Sequence, residues 1–264
     1  MDIIVTGVSG GMGLATAKQL IGEGHRIFGL DIKAPEETSA SLLFFQTDLR
    51  DQKAVETAFQ NISQKSDHVG AIIHMAGIYD LNSLVEMSDE EFQRSYEINL
   101  FSVFRVNKTF LPLLKKGSRI LITSSELAPL YPLPFTGIYG ITKTALDAYA
   151  ISLRRELMLL GISVIILHPG AVDTGLLDVS TTRLKDFCRS TTHYAYNADR
   201  FRKIVDRVES RKISPKQLSQ LAHKALFAAH PRRIYSINRN PLLLLMNILP
   251  VGLQERILKQ ILQK

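Results

Sequence analysis

Thr6-Gly7-Val8-Ser9-Gly10-Gly11-Met12-Gly13 follows a short apolar run, Ile3-Ile4-Val5, and opens an amphipathic stretch. Strand, glycine-rich turn and helix in that order place the turn at the head of a β-α-β unit. There, glycines let the backbone turn tightly and approach a pyrophosphate, whose charge faces the free N–H groups of the helix N-terminus. A flexible turn would need neither the strand before it nor the helix after it. Gly7, Ser9, Gly11, Met12 and Gly13 are therefore candidate contacts to a dinucleotide.

Outward from this turn, short Val/Ile/Leu/Phe-rich runs alternate with longer amphipathic ones. Strands are predicted at 2–6, 25–30, 42–46, 70–75, 118–123 and 162–167, with a weaker one near 233–237, and helices around 12–23, 51–63, 88–111 and 138–160. Repeated β-α-β units with right-handed crossovers put helices on both faces of a parallel sheet. The expected fold is a doubly wound α/β sheet in a single domain, since 264 residues with 45% apolar side chains bury one large core. Residues 176–230 break the rhythm as a polar, mostly helical insertion, and Pro231, Pro241 and Pro250 punctuate the tail at 231–264.

Asp31 ends the second predicted strand, where a carboxylate can accept hydrogen bonds from a ribose 2′-hydroxyl and repel a 2′-phosphate. NAD(H) is the expected cofactor, and the nearby Lys33 keeps NADP(H) open. Asp48 and Leu49 follow the third strand. Asp48 reads equally well as a cofactor contact or as the N-cap of the next helix. The fourth strand runs into His74-Met75-Ala76-Gly77, where Ala76 and Gly77 would let the backbone pass close to the cofactor and His74 reads as a core histidine. No metal-ligand spacing is present.

Tyr139 and Lys143 stand at i and i+4 at the start of a long predicted helix, on one face. A free phenol titrates near 10, and a neighbouring ammonium would lower that value. Ser124-Ser125 ends the preceding strand, and Pro169-Gly170-Ala171-Val172-Asp173-Thr174 follows the sixth.

Together these motifs resemble the short-chain dehydrogenase/reductase family over residues 2 to about 174, a Rossmann-type fold that moves hydride between a nicotinamide cofactor and an alcohol or ketone. The resemblance makes Tyr139 the general acid/base. Lys143 would lower its pKa and hold the nicotinamide ribose, Ser125 would polarise the carbonyl, and Asn99 would support a relay water near the lysine. Pro169, Gly170, Val172 and Thr174 would form the nicotinamide-contact turn, and 176–230 would be the substrate lid.

The sequence departs from the family pattern in three places. His74 replaces the first Asn of an Asn-Asn-Ala-Gly motif, so that residue's hydrogen bonds must be supplied differently. Ser125 lies 14 residues before Tyr139, one more than is commonest, which leaves Ser124 as the alternative. The glycines fit both the compact dehydrogenases and the extended epimerase-like branch; chain length and the Pro-Gly turn favour the compact one. An NAD-dependent epimerase or dehydratase and a non-catalytic dinucleotide sensor remain as alternatives. Net NADH formation separates the epimerase, and a sensor has no need of Ser125, Tyr139 and Lys143 together.

The apolar, proline-stiffened stretch 127–135 suits a pocket for a small lipophilic alcohol or ketone, and equally suits core beneath the insertion. In the tail, Leu253, Ile257 and Ile261 recur at helical spacing, which reads first as packing or oligomer contact and second as a helix lying on a membrane surface. The net charge of +7 is concentrated after residue 150, without the aromatic interleaving of a nucleic-acid site, so a solvated basic face is expected and no nucleic acid. Cys188 is alone, and Ile3-Ile4-Val5 begins too early for a targeting peptide, so a cytoplasmic homo-oligomer is the expected setting.

Overall fold

The computed structural model describes residues 1–37 and 39–263. Seven parallel strands form one sheet in the order β3-β2-β1-β4-β5-β6-β7. They are β1 (Asp2–Thr6), β2 (Arg26–Asp31), β3 (Leu42–Gln46), β4 (Ala71–His74), β5 (Arg119–Thr123), β6 (Ser163–Pro169) and β7 (Ile234–Ile237). Each predicted strand lies within two residues of an observed one at both ends. Val, Ile, Leu and Phe dominate them because both faces of the sheet are covered, leaving no position for the polar half of an alternating strand.

Alternation decides which helix each side chain meets. Ile4, Phe28, Ile72, Ile120 and Val164 face α2 (Gln52–Ser63), α4 (Ser102–Phe110) and α5 (Gly137–Leu157). Their neighbours Ile3, Ile27, Ile73, Leu121 and Ile165 face α1 (Gly11–Gly22) and α8 (Pro215–Phe227) on the other side. A one-residue slip of any strand would exchange the two sets. Truncating one of these buried residues to alanine costs about 2–5 kcal/mol.

Two expectations need correction. The helix read as continuous over 88–111 is three pieces: α3 (Asp89–Tyr96), capped by Ser88 and Glu91 as a reciprocal capping box, a π-helical turn at Glu97–Phe101, and α4. The segment 176–230 is not wholly an insertion. Its last part is α8, the crossover helix between β6 and β7, with Leu218, Ala222, Ala225 and Leu226 in the core. Polar residues on its outer face disguised it.

What stands above the sheet is α6 (Gly175–Ser190) and α7 (Ala195–Glu209), joined by α9 (Pro241–Ile248) and α10 (Val251–Gln263). These elements have a small core of their own, where Leu81, Leu184, Phe187, Phe201, Val205 and Leu262 pack together. Phe135, at φ 65°, sends its ring among Phe187, Tyr194 and Phe201 at centroid distances of 5.0, 5.3 and 5.4 Å. Leu262 of α10 packs here, while Leu253 and Ile261, two of the residues at helical spacing in the tail, are exposed.

Candidate active site

Strand order reverses between β1 and β4, so the loops leaving their carboxyl ends part and open a crevice, the usual ligand position in such sheets. The glycine turn lines it. Gly7 has φ +69°, and a Cβ there would stand 2.6 Å from the Ala76 nitrogen; a Cβ at Gly13 would stand 2.0 Å from the Gly7 carbonyl oxygen. Gly10, the N-cap of α1, offers no side-chain cap, which leaves the helix's first N–H groups for an anion. These positions fit a dinucleotide pyrophosphate, because side chains would fill the space where backbone must approach the phosphates.

A cavity of about 620 Å³ lies over this turn. Ser9, Gly11, Met12, Asp31, Asp48 and Leu49 line it, with Ala76 and Gly77 on the β4 side. Asp31 accepts hydrogen bonds from the backbone N–H groups of Ser9 (3.0 Å) and Ile32 (2.7 Å), which fixes its carboxylate at the crevice edge. Asp48 does not cap α2; Asp51 does, accepting from the Lys53 N–H. Asp48 instead pairs with Arg50, whose guanidinium holds the carboxyl below its ordinary pKa. Arg50 and Lys33 are cations on this cavity's wall.

A second cavity, about 290 Å³, continues past the ends of β4, β5 and β6. Ser125, Tyr139 and Lys143 converge on one wall, and Pro169, Gly170, Val172 and Thr174 form another. Ser125 makes a hydrogen bond with the Tyr139 phenol. Ser124 turns away and donates to the Lys143 carbonyl at 3.3 Å, so Ser125 is the serine that faces the phenol. The 169–174 turn is stapled to the segment before α8 by the Asp173 N–H donating to the Ile213 carbonyl (2.8 Å).

The electrostatics differ from the expectation that Lys143 draws the phenol down. Burial pushes Tyr139 up to about 12, aided by the charge of Glu126 and opposed by the Ser125 hydrogen bond. Burial also pulls Lys143 down to about 8, against the attraction of Asp147. The ammonium donates to the Thr123 carbonyl (3.1 Å) and lies 5.7 Å from the centre of the Tyr139 ring. In this arrangement desolvation outweighs the neighbouring charge.

Asn99 lines neither cavity. Its amide is anchored in the π-helical turn, donating to the Ile78 carbonyl (3.0 Å) and the Thr142 hydroxyl (3.1 Å) and accepting from the Ile78 N–H (2.8 Å). It sits beside Gly77, which also adjoins the Lys143 ammonium. π-Turns inside helices recur at functional sites. His74 is a fully buried core histidine hydrogen-bonded to the Asn107 side chain (2.8 Å), and burial lowers it to about 4.

Glu126 was not anticipated. It is buried in the cavity wall next to Ser125, its carboxyl raised by burial, and it accepts from the Asn240 N–H at 2.6 Å. Asn247 accepts from the Tyr131 N–H at 2.7 Å, so α9 is tied at both ends to the loop after β5. The Tyr79 ring packs edge-on to Tyr139 at 4.6 Å. Only an adjacent position in sequence pointed to Glu126, and nothing pointed to Tyr79.

The short chain dehydrogenase family profile matches residues 2–184, and the chain belongs to that family. It is thus an NAD(P)-dependent oxidoreductase of alcohol and keto groups. Among relatives, the probable short-chain type dehydrogenase/reductase VdlC of Helicobacter pylori is 27% identical over 257 residues, 94% of this chain and 92% of its own. The 3-ketodihydrosphingosine reductase of Bacteroides thetaiotaomicron is 26% identical, covering 87% of this chain and 84% of its own. A solved short-chain dehydrogenase from Streptomyces avermitilis superposes with a TM-score of 0.77 at 18% identity, over 98% of this chain and 95% of that one, which is likeness of fold.

Proposed function

We propose that the protein interconverts a lipophilic ketone and its secondary alcohol, with NAD(H) preferred. The observation that carries this reading is the meeting of Ser125, Tyr139 and Lys143 on one wall of a cavity whose lining is mostly apolar and includes Leu133, Val205, Leu243, Met246 and Leu258. Apolar walls with a few convergent polar groups suit a lipophilic substrate with one reactive oxygen. The Bacteroides reductase, by its name, acts on such a molecule.

When bound, the nicotinamide supplies or takes the hydride. In reduction, the Tyr139 phenol donates its proton to the substrate oxygen, and a phenol held near 12 is protonated across the physiological range. Ser125 donates a hydrogen bond to the same oxygen and fixes the carbonyl against the phenol. In oxidation the proton returns to Tyr139, and Lys143 stabilises the phenolate while holding the ribose. Asn99 ties Ile78 and Thr142 to its π-turn by side-chain hydrogen bonds. Pro169, Gly170, Val172 and Thr174 would hold the carboxamide.

Preference for NAD(H) rests on Asp31, whose carboxylate lines the cavity over the glycine turn and would repel a 2′-phosphate. NADP(H) has Lys33 and Arg50 in its favour, though Arg50 is engaged by Asp48. A cytoplasmic homo-oligomer fits the single free cysteine and the exposed Phe101, Phe104 and Ile151, where α4 meets α5. The test is nicotinamide absorbance with a panel of lipophilic alcohols and ketones under each cofactor. Turnover with NAD(H) is expected. A cofactor bound but never reduced or oxidised by any of them would overturn the reading.

A further inference from the structure

Residues 240–254, Asn-Pro-Leu-Leu-Leu-Leu-Met-Asn-Ile-Leu-Pro-Val-Gly-Leu-Gln, contain no charged side chain. Yet α9, which occupies most of this stretch, buries none of its residues completely. Leu242, Leu245 and Ile248 recur every three residues on its outer side and are 64%, 58% and 79% exposed. Val251 and Leu253 extend the exposed apolar surface across the turn into α10. Scattered single apolar residues on a surface need no account, but a contiguous uncharged set of this kind marks a contact.

The charges lie around this surface and are nearly all of one sign. Arg256 and Lys259 stand on α10, and Arg200 of α7 donates to the Ile261 carbonyl (3.0 Å), against the carboxylate of Glu255 on α10. Arg256 and Lys259 are exposed. An apolar face bordered by cations is the pattern of a helix lying in a membrane interface, with Leu and Ile among acyl chains and Arg and Lys among anionic headgroups. A symmetric contact between two copies of α9 would bring those same cations together without enough carboxylates to answer them.

The inner side of the helix points the same way. Leu243 and Met246 line the cavity of Ser125 and Tyr139, while Leu242 and Ile261 line it and yet are 64% and 46% exposed, so they form its rim. The helix that would enter the lipid is therefore also the wall and lip of the substrate pocket. We infer that α9 and the start of α10 dock this protein on an anionic membrane surface, with the pocket rim against the acyl layer so that a lipophilic substrate passes between membrane and cavity. Among the described residues no helix is long and apolar enough to cross a membrane, and the contact is peripheral. What the docking delivers rests on reading that cavity as the substrate pocket, whereas the docking itself does not.

Flotation of the full chain with phosphatidylcholine vesicles, with and without phosphatidylglycerol, tests it. The protein should rise with the phosphatidylglycerol vesicles, more weakly at high salt. The double variant Leu245→Glu, Ile248→Glu should bind at least about tenfold less, and Ile248→Ser should fall in between. Neither position lines the pocket, so turnover of a soluble short-chain ketone and the melting temperature should stay unchanged in both. Wild-type protein that remains at the bottom with either vesicle overturns the inference, as does a double variant that floats like wild type. Loss of self-association by the variants in sedimentation velocity, without wild-type flotation, would assign the face to a second copy and overturn it too. Flotation needs no turnover, so an absence of oxidoreductase activity would strike the proposed reaction and leave this result standing.

Discussion

The nucleotide half of the crevice and the substrate half are built by different means. Over the glycine turn the contacts come mostly from backbone: Gly7 and Gly13 admit no side chain, and Asp31 is held by N–H groups of Ser9 and Ile32. Over Tyr139 they come from side chains on four helices that pack on one another more than on the sheet. A backbone site can accept few substitutions and so is repeated from protein to protein, whereas a side-chain wall changes its ligand with every residue changed. The sharpest way to break this contrast is at its seam. Tyr139→Phe should lower kcat about 10²–10⁴-fold, the usual worth of a positioned acid/base, and leave the Kd for NADH unchanged, since the phenol contacts no part of the nucleotide crevice. A variant within tenfold of wild type would remove Tyr139 from the chemistry.

Within the nucleotide half, His74 is the place where a side chain has replaced the family's usual residue. It titrates near 6.5 when unfolded and at about 4 in the fold, because burial disfavours its charged form. Between those values the unfolded chain binds more protons than the folded one. Stability should therefore fall as the pH drops from about 6.5 to about 4, by roughly 3 kcal/mol in all. In His74→Asn this slope should vanish, leaving only what the other groups contribute. Thermal melts at a series of pH values compare the two, and parallel curves would show that His74 is not the acid-sensitive group.

The same contrast explains what could be read from sequence. All seven strands were legible because both sheet faces are buried, and the glycine turn, Asp31, Ser125, Tyr139 and Lys143 were legible because backbone geometry and strand ends fix them. The split of 88–111 was not, since a π-turn leaves helical spacing almost unaltered and only Asn99 in mid-helix hinted at it. α8 was hidden by its polar outer face within 176–230. Glu126, Tyr79 and the wall supplied by α9 depend on contacts across more than a hundred residues or between loops, which no local pattern records. The environment of Lys143 was misread for a similar reason: an i, i+4 pair predicts proximity, but not that burial would dominate both groups.

Cofactor choice sharpens the contrast from the backbone side. Asp31→Ser would remove a charge-assisted bond worth about 1.5–3 kcal/mol to NAD(H), and would lift the repulsion of a 2′-phosphate near Lys33. The ratio of kcat/KM for NADH to that for NADPH should fall by about 10- to 100-fold. Wild type that already favours NADPH, or a ratio that Asp31→Ser leaves in place, would show that the carboxylate does not read the ribose.

The smallest effect is expected on the substrate side, at the bend between α6 and α7. Glu86, in the loop after β4, accepts hydrogen bonds from the Thr191 hydroxyl (2.6 Å), the Thr192 hydroxyl (2.9 Å) and the N–H groups of Thr192 (2.9 Å) and His193 (3.0 Å). These bonds, that from Thr191 foremost, hold its carboxyl down to about 2. A depressed carboxylate contributes stability above its ordinary pKa and loses it only as the pH falls through the depressed one, so near neutrality this clasp is fully formed. It is also partly open to water, so the substitution Glu86→Gln, which keeps the shape and one acceptor, should move the melting temperature only a little. What should change is how firmly α6 and α7 stand over the pocket. A rise of about two- to fivefold in KM for the lipophilic substrate is expected, with kcat and the Kd for NADH unaltered. Equal changes in substrate and cofactor affinity would mean that the two halves of the crevice move as one body, and the division drawn here would fail.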